Sequence, residues 1–149
     1  MQLTHNFSLK EMVNSPTAVR LDFEEQFDPN PEIIENLRQL CIHILQPLRE
    51  SARRAVFVNS GYRCLRLNSQ VNGSRLSQHL KGQAADLVVS GYSIEQIYNK
   101  IRNSNLPYDQ VIQEFDRWIH ISFNSGPGGF RKQNLRAVKE NGMTKYLQD

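Results

Sequence analysis

Ile33, Leu37, Leu40, Ile44 and Leu48 recur at steps of three and four, which places them on one helical face. Asn30-Pro31 just ahead has the form of an N-cap and first helical residue. A helix is therefore predicted from there to about Arg53, with Pro47 kinking it. Two capping boxes, Ser8-Leu9-Lys10-Glu11 and Ser93-Ile94-Glu95-Gln96, predict a short helix after Ser8 and another running to about Asn103. The apolar runs Ala55–Val58 and Ala84–Val89 read as strands, as do Gln110–Phe115 and Trp118–Phe123. Asn141-Gly142, flanked by Ala137-Val138 and Tyr146-Leu147, predicts a type I′ hairpin. Residues 15–31 hold three prolines and read as a loop, and residues 62–73 as a polar stretch with a short helix. About three helices and four to six strands, without strict alternation, predict an α+β fold: a small antiparallel sheet flanked by helices.

The chain has 149 residues, about one domain's worth. With 39% hydrophobic and 22% charged residues it has the composition of a folded globule. No apolar run is long enough to span a bilayer, so membrane insertion is not expected. Met1–Val13 lacks a basic stretch followed by an apolar one, so no secretion signal is expected. Cys41 and Cys64 are too few for a disulfide framework and form no Cys-x-x-Cys pair. The whole net charge of +3 resides in residues 130–149, leaving 1–129 formally neutral. That distribution gives little reason to expect nucleic acid as a partner, and suits an anionic wall polymer equally well. The expected organisation is a body, residues 1–129, with a short N-terminal lead-in. A basic tail, 130–149, would form a hairpin packed on the same domain.

Candidate chemistry gathers around two of the four histidines. His5 falls in the lead-in and reads as exposed, and His43 reads as structural between Ile42 and Ile44. His79 and Asp86 lie seven apart with Gly82, Ala84 and Ala85 between them, and Asp86 interrupts an apolar strand. A buried carboxylate there needs a cation, a metal or several N–H donors. Strand alternation puts Trp118, His120 and Ser122 on one face. Glu114 shares that face if a three-residue turn at Asp116–Trp118 joins the strands, directly opposite His120. A two-residue turn at Asp116-Arg117 would place the two on opposite faces. Two histidines, an aspartate and a further carboxylate make a zinc hydrolase inventory. His79, Asp86 and His120 are the candidate ligands of one zinc ion, and Glu114 the candidate general base. Arg63 is the candidate for holding a substrate carboxylate or a developing oxyanion.

The string Ser60-Gly61-Tyr62-Arg63, Asn68, Gly73-Ser74, Ser77-x-His79-x-x-Gly82-x-Ala84-x-Asp86 and Trp118-x-His120 resembles the D-alanyl-D-alanine carboxypeptidase family of zinc peptidases. That family shares its fold with the hedgehog signalling domain, and the resemblance spans roughly residues 5–125. It implies zinc on His79, Asp86 and His120, and Glu114 as the catalytic carboxylate. It implies Arg63, Ser77 and Trp118 as substrate contacts. The implied substrate is a peptidoglycan stem peptide, cut most readily in the D,D-carboxypeptidase manner. Dipeptidase and L-alanyl-D-glutamate endopeptidase activities also occur on this fold. The implied setting is a monomeric phage or prophage endolysin, cytoplasmic until released onto the wall.

Two positions depart from the pattern. Several members carry the acid three residues before the last histidine, where this chain has Arg117; the acid is then Glu114, with Asp116 as the alternative. Some members carry a histidine where this chain has Trp118, which removes one transition-state donor. Two other readings compete. One is a non-catalytic zinc module of the same fold, acting as a wall-binding or virion protein, which would need neither Glu114 nor Arg63. The other is a non-haem iron site, whose first two ligands usually lie closer together in sequence.

Overall fold

The computed structural model describes residues 1–149. Six helices and six strands follow in the order α1 (Leu9–Val13), α2 (Pro16–Arg20), α3 (Pro31–Leu40), α4 (Gln46–Ala52), β1 (Val56–Ser60), α5 (Leu65–Gln70), β2 (Ala84–Val89), α6 (Ile94–Arg102), β3 (Gln110–Glu114), β4 (Trp118–Ser122), β5 (Gln133–Glu140) and β6 (Met143–Gln148). Short 3₁₀ turns occupy Glu24–Phe27 and Gln78–Lys81. The fold is α+β. No helix is long and apolar enough to cross a membrane.

Both capping boxes form, with the side chains of Ser8 and Ser93 each accepting from the third residue of its helix. Residues 15–31 do not form the loop that their prolines suggest. Ser15 caps α2 and Pro16 is its first residue, repeating the Asn30-Pro31 device that opens α3. Proline is favoured at that position because its missing N–H has no partner in the first turn anyway. Pro47 does not break the long helix either. A π-helical turn at Cys41–Leu45, with Gln46 N–H reaching back to Cys41 O, joins α3 to α4. The widened turn lies just where Pro47 lacks an N–H and would crowd the preceding carbonyls.

One sheet holds all six strands in the order β1-β2-β4-β3-β5-β6. It is mixed, not antiparallel throughout: β5 runs parallel to β3, from Gln110 opposite Gln133 to Glu114 opposite Ala137. The chain leaves β4 at Ser122, beside the first residue of β3, and re-enters the sheet at the same end. It therefore runs in the direction of β3. The hairpin expected in the tail is present, with Asn141 and Gly142 both at positive φ (53° and 78°) as a type I′ turn requires. It continues the sheet beyond β3.

The two faces of the sheet divide the labour. Leu87, Val89, Val111, Ile119 and Ile121 point into a core with Leu37, Leu40, Ile44 and Leu48 of the long helix and Ile97, Tyr98 and Ile101 of α6. The alternate residues, Asp86, Ile112, Glu114 and His120, face a cleft of about 880 Å³. Asp109, buried at the start of β3, anchors the segment that leads to β5: it accepts from Arg131 Nε at 2.8 Å and Nη2 at 2.9 Å, and from Gln78 Nε2 at 3.1 Å.

Gln26 is fully buried and joins three segments. Its Nε2 donates to the carbonyls of Val13 (2.9 Å) and Tyr62 (2.8 Å), and its Oε1 accepts from Cys64 N–H (2.8 Å). Gln26→Leu fills similar space but leaves these three backbone groups unpaired. The expected outcome is a loss of about 2–4 kcal/mol in unfolding free energy by urea titration. A loss under about 0.5 kcal/mol would show that water or rearrangement replaces the bonds.

Candidate metal centre and cleft

The site begins where β1 ends. A bulge between Val58 and Ser60 re-phases the strand so that Ser60, not Asn59, lies opposite Asp86. The chain then turns through Gly61 into Arg63, whose N–H donates to His79 O at 3.0 Å. This bond brings the Ser60–Arg63 segment against the 3₁₀ turn that carries His79. Ser77 caps that turn, its hydroxyl accepting from His79 N–H at 3.2 Å. Gly82 ends it at φ 71°, a left-handed conformation that L side chains rarely adopt, and a Cβ there would approach Ile33 O to 2.9 Å. Glycine is thus needed to swing the chain from His79 into β2 and Asp86.

His79, Asp86 and His120 each present a donor atom within 4.8 Å of the others. His79 Nδ1 lies 2.6 Å from Gly61 O. A carbonyl only accepts, so Nδ1 carries the proton and Nε2 keeps its lone pair for a metal. His79 Nε2 is 3.3 Å and His120 Nδ1 is 3.0 Å from Asp86 Oδ1. Arg63 Nη2 stands 3.6 Å from Asp86 Oδ2. Burial would raise the Asp86 carboxyl, but the two histidines facing it hold it well below the usual carboxylate range. Burial pushes His79 down, against the pull of Asp86, so its imidazole stays neutral, as a ligand must be. A nitrogen–nitrogen–oxygen donor set this compact, with one imidazole oriented from behind by a backbone carbonyl, fits a zinc-type cation.

The turn joining β3 and β4 has three residues but starts one earlier than the sequence suggests. Phe115 and Asp116 both take left-handed φ values (57° and 58°), and Arg117 N–H closes on Glu114 O at 2.9 Å. Left-handed backbone is costly for a phenylalanine. Here its ring packs edge-on against Trp118 (5.9 Å) and lies under Lys139. The strand register becomes Ile112 opposite His120 and Glu114 opposite Trp118. Glu114 is therefore the diagonal neighbour of His120, on the same face, and not its direct partner. Burial, and then the charge of Asp86, raise the Glu114 carboxyl against the pull of His120 and Arg63. Asp116 lies outside the cleft; its carboxylate accepts from Gln113 Nε2, on the opposite face of the sheet.

Arg63 is held at three points, by Ser60 Oγ on Nε (3.3 Å), by Asn68 Oδ1 on Nη1 (2.9 Å) and by the charge of Asp86. Asn68 also donates to Ser74 O at 3.0 Å, tying the loop after α5 to the arginine. A Cβ at Gly73 would press on Asn68 Oδ1 and Arg63 Nη1, so a side chain there would push this pair out of place. Ser77, Trp118 and Arg63 all line the cleft, and the Trp118 Nε1 is buried without a partner. His5 and His43 lie outside it. His43 stacks on Phe123 at 4.8 Å and bonds Gln39. Both cysteines are buried free thiols. Gln26 and Asp109 carry no sequence signal, because a buried polar residue is recognised only once its partners surround it. Asn68 is visible only as one position of the longer motif.

His79→Ala, Asp86→Ala and His120→Ala are each expected to weaken zinc binding at least about 10-fold, since even outer partners of metal ligands matter that much. His43→Ala is expected to bind as the unmodified protein does. Competition with a chromogenic chelator reads all four. Undiminished zinc affinity in the three site variants would remove the ligand assignment.

A search of curated proteins finds no match. A family model described as Peptidase M15 matches residues 5–122. That span takes in the lead-in, the long helix, the motif around Arg63, and all three candidate metal-binding residues as well as Glu114. On that match over most of its length, the chain belongs to the Peptidase M15 family.

Proposed function

We propose that the protein is a zinc peptidase that hydrolyses peptidoglycan stem peptides, acting as a D,D-carboxypeptidase. Peptidase family membership supports the reaction class. The observation that carries the mechanism is Glu114, a carboxyl with raised proton affinity on the same sheet face as Asp86 and His120 and in one cleft with them and His79. A metal held only for structure would need no such group.

Zinc in a three-ligand site lowers the pKa of a coordinated water to about 7 and polarises a carbonyl. The chain's own residues supply the rest. Ionised Glu114 takes the proton from the attacking water and returns it to the departing amine. Asp86 stays ionised between His79 and His120. Asn68 and Ser60 fix the Arg63 guanidinium in the lining of the cleft. From there it offers positive charge to a C-terminal carboxylate or to oxygen gaining charge in the transition state. Arg63 also steadies Asp86, so its loss would loosen the centre as well as the substrate. We further propose that the enzyme reaches the cell wall by release from the cytoplasm, as phage-type lysis enzymes do.

Muropeptides incubated with zinc-loaded protein and followed by mass spectrometry are expected to lose a terminal D-alanine, and to lose none when a chelator is added. A cut within the stem would make the enzyme an endopeptidase. No product with zinc bound would favour the non-catalytic module. Glu114→Gln is expected to keep zinc and lose kcat by at least about 100-fold. A base must be ionised, and the Glu114 carboxyl lies above its ordinary 4.5. In the unmodified enzyme kcat/KM is therefore expected to fall as pH drops and Glu114 is protonated, and that limb is expected to be absent in Glu114→Gln. An unchanged limb in the variant would assign it to another group.

A further inference from the structure

The C-terminal hairpin places one side chain in the catalytic cleft. Glu114 on β3 is in register with Ala137 on β5, and Ala137 with Tyr146 on β6. Trp118, Glu114, Ala137 and Tyr146 thus form one row across the sheet, all on the face that carries Asp86 and His120. Leu135 and Tyr146 line the same cleft as the candidate metal ligands. Alanine between Glu114 and Tyr146 leaves room for the phenol to lean inward, and Ala137 is only 1% exposed beneath its neighbours. Partial burial, and then the charges of Glu114 and Asp86, raise the Tyr146 phenol, so it keeps the proton it would donate. The hydroxyls of Tyr92, Tyr98 and Tyr108 all bond within the chain. Those of Tyr62 and Tyr146 do not, and of these two only Tyr146, which is half exposed, lines the cleft.

The hairpin is held firmly enough to aim it. Arg136, on the opposite face of β5, bonds both oxygens of Glu95 on α6 (2.7 and 2.8 Å) and Asp149 (2.8 Å). Tyr108 donates to Asn134 at 2.6 Å. At the approach to β5, Arg131 is clamped by Asp109. The family match ends at residue 122, so this wall of the cleft lies beyond the matched segment.

We propose that Tyr146 is a substrate-binding residue of the cleft, its hydroxyl donating a hydrogen bond to a carbonyl of the peptide held over Glu114. The proposal rests on the peptidase reading above. Tyr146 takes up the substrate on the side of Glu114 away from His120 and Trp118, and the Trp118 Nε1 is buried and offers no accessible donor.

The test uses full-length, zinc-loaded protein and compares Tyr146→Phe with the unmodified chain and with Lys145→Ala, on the other face of the same strand. Three quantities are measured: kcat/KM on a muropeptide, the affinity of a phosphinate analogue of D-alanyl-D-alanine by calorimetry, and zinc stoichiometry with melting temperature. Tyr146→Phe is expected to lose about 10-fold in kcat/KM and in phosphinate affinity, the size of one net hydrogen bond. Zinc and melting temperature are expected to hold, and Lys145→Ala to match the unmodified enzyme. In protein labelled with [¹³Cζ]tyrosine, the resonance missing from Tyr146→Phe is expected to shift when the phosphinate is added. Equal turnover and equal phosphinate affinity in Tyr146→Phe would overturn the proposal and leave the peptidase reading intact. Loss of zinc or a lowered melting temperature would overturn it in favour of a structural role. If the unmodified zinc protein neither cleaves nor binds the phosphinate, the peptidase reading falls and this role for Tyr146 falls with it.

Discussion

One largely buried carboxylate, that of Asp86, organises this molecule. Asp86 sits in the middle of an otherwise apolar strand, with His79, His120 and Arg63 converging on it from three different parts of the chain. An ionised group withdrawn from water is tolerated only when opposite charge and hydrogen-bond donors surround it. Arg63 supplies such charge, whereas the His79 Nε2 lone pair turned toward Asp86 does not. A cation bound between the histidines would meet the same need, so metal binding and local stability are coupled here.

Much of the remaining architecture delivers those partners. The bulge in β1, the bond from Arg63 N–H to His79 O and the left-handed Gly82 bring two loops and a strand to one point. Gln26 and Asn68 act one step behind them. Gln26 satisfies the backbone on both sides of Arg63, and Asn68 holds its guanidinium. The sheet separates function from cohesion by its two-residue period: one face is packed against the long helix and α6, while the other is left free for Asp86, His120, Glu114 and Tyr146. A site built on strand positions of this kind is rigid, which suits chemistry that depends on a fixed spacing between a base and a metal.

The C-terminal hairpin fits this arrangement as a wall of the cleft. Its parallel entry beside β3 is a consequence of where β4 ends, and Glu95, Asp109 and Tyr108 fix it to the rest of the chain. The excess positive charge of the tail is partly neutralised in the folded chain, because Arg131 and Arg136 are paired with carboxylates. Lys132 and Lys139 lie over aromatic rings and Lys145 beside Glu140.

Features that depend on neighbours in sequence were legible without a structure. Capping boxes, the apolar stripe from Ile33 to Leu48, the alternation that turns His120 away from Ile119 and Ile121, and the Asn141-Gly142 turn all rest on local backbone preference, which a short window contains. The triad of His79, Asp86 and His120 was legible because its spacing forms a specific motif. Tertiary structure decided what distant segments do to one another. It absorbed Pro47 in a π turn, and moved the β3–β4 turn one residue, so that Glu114 meets Trp118 and lies diagonal to His120. It also inserted β5 parallel to β3, and gave Gln26, Asn68, Asp109 and Tyr146 their partners or their place in the cleft. The physical reason is common to all of these. A buried polar group or a strand register is set by the free energy of groups far apart in the chain, and no window of sequence holds both ends of such a contact.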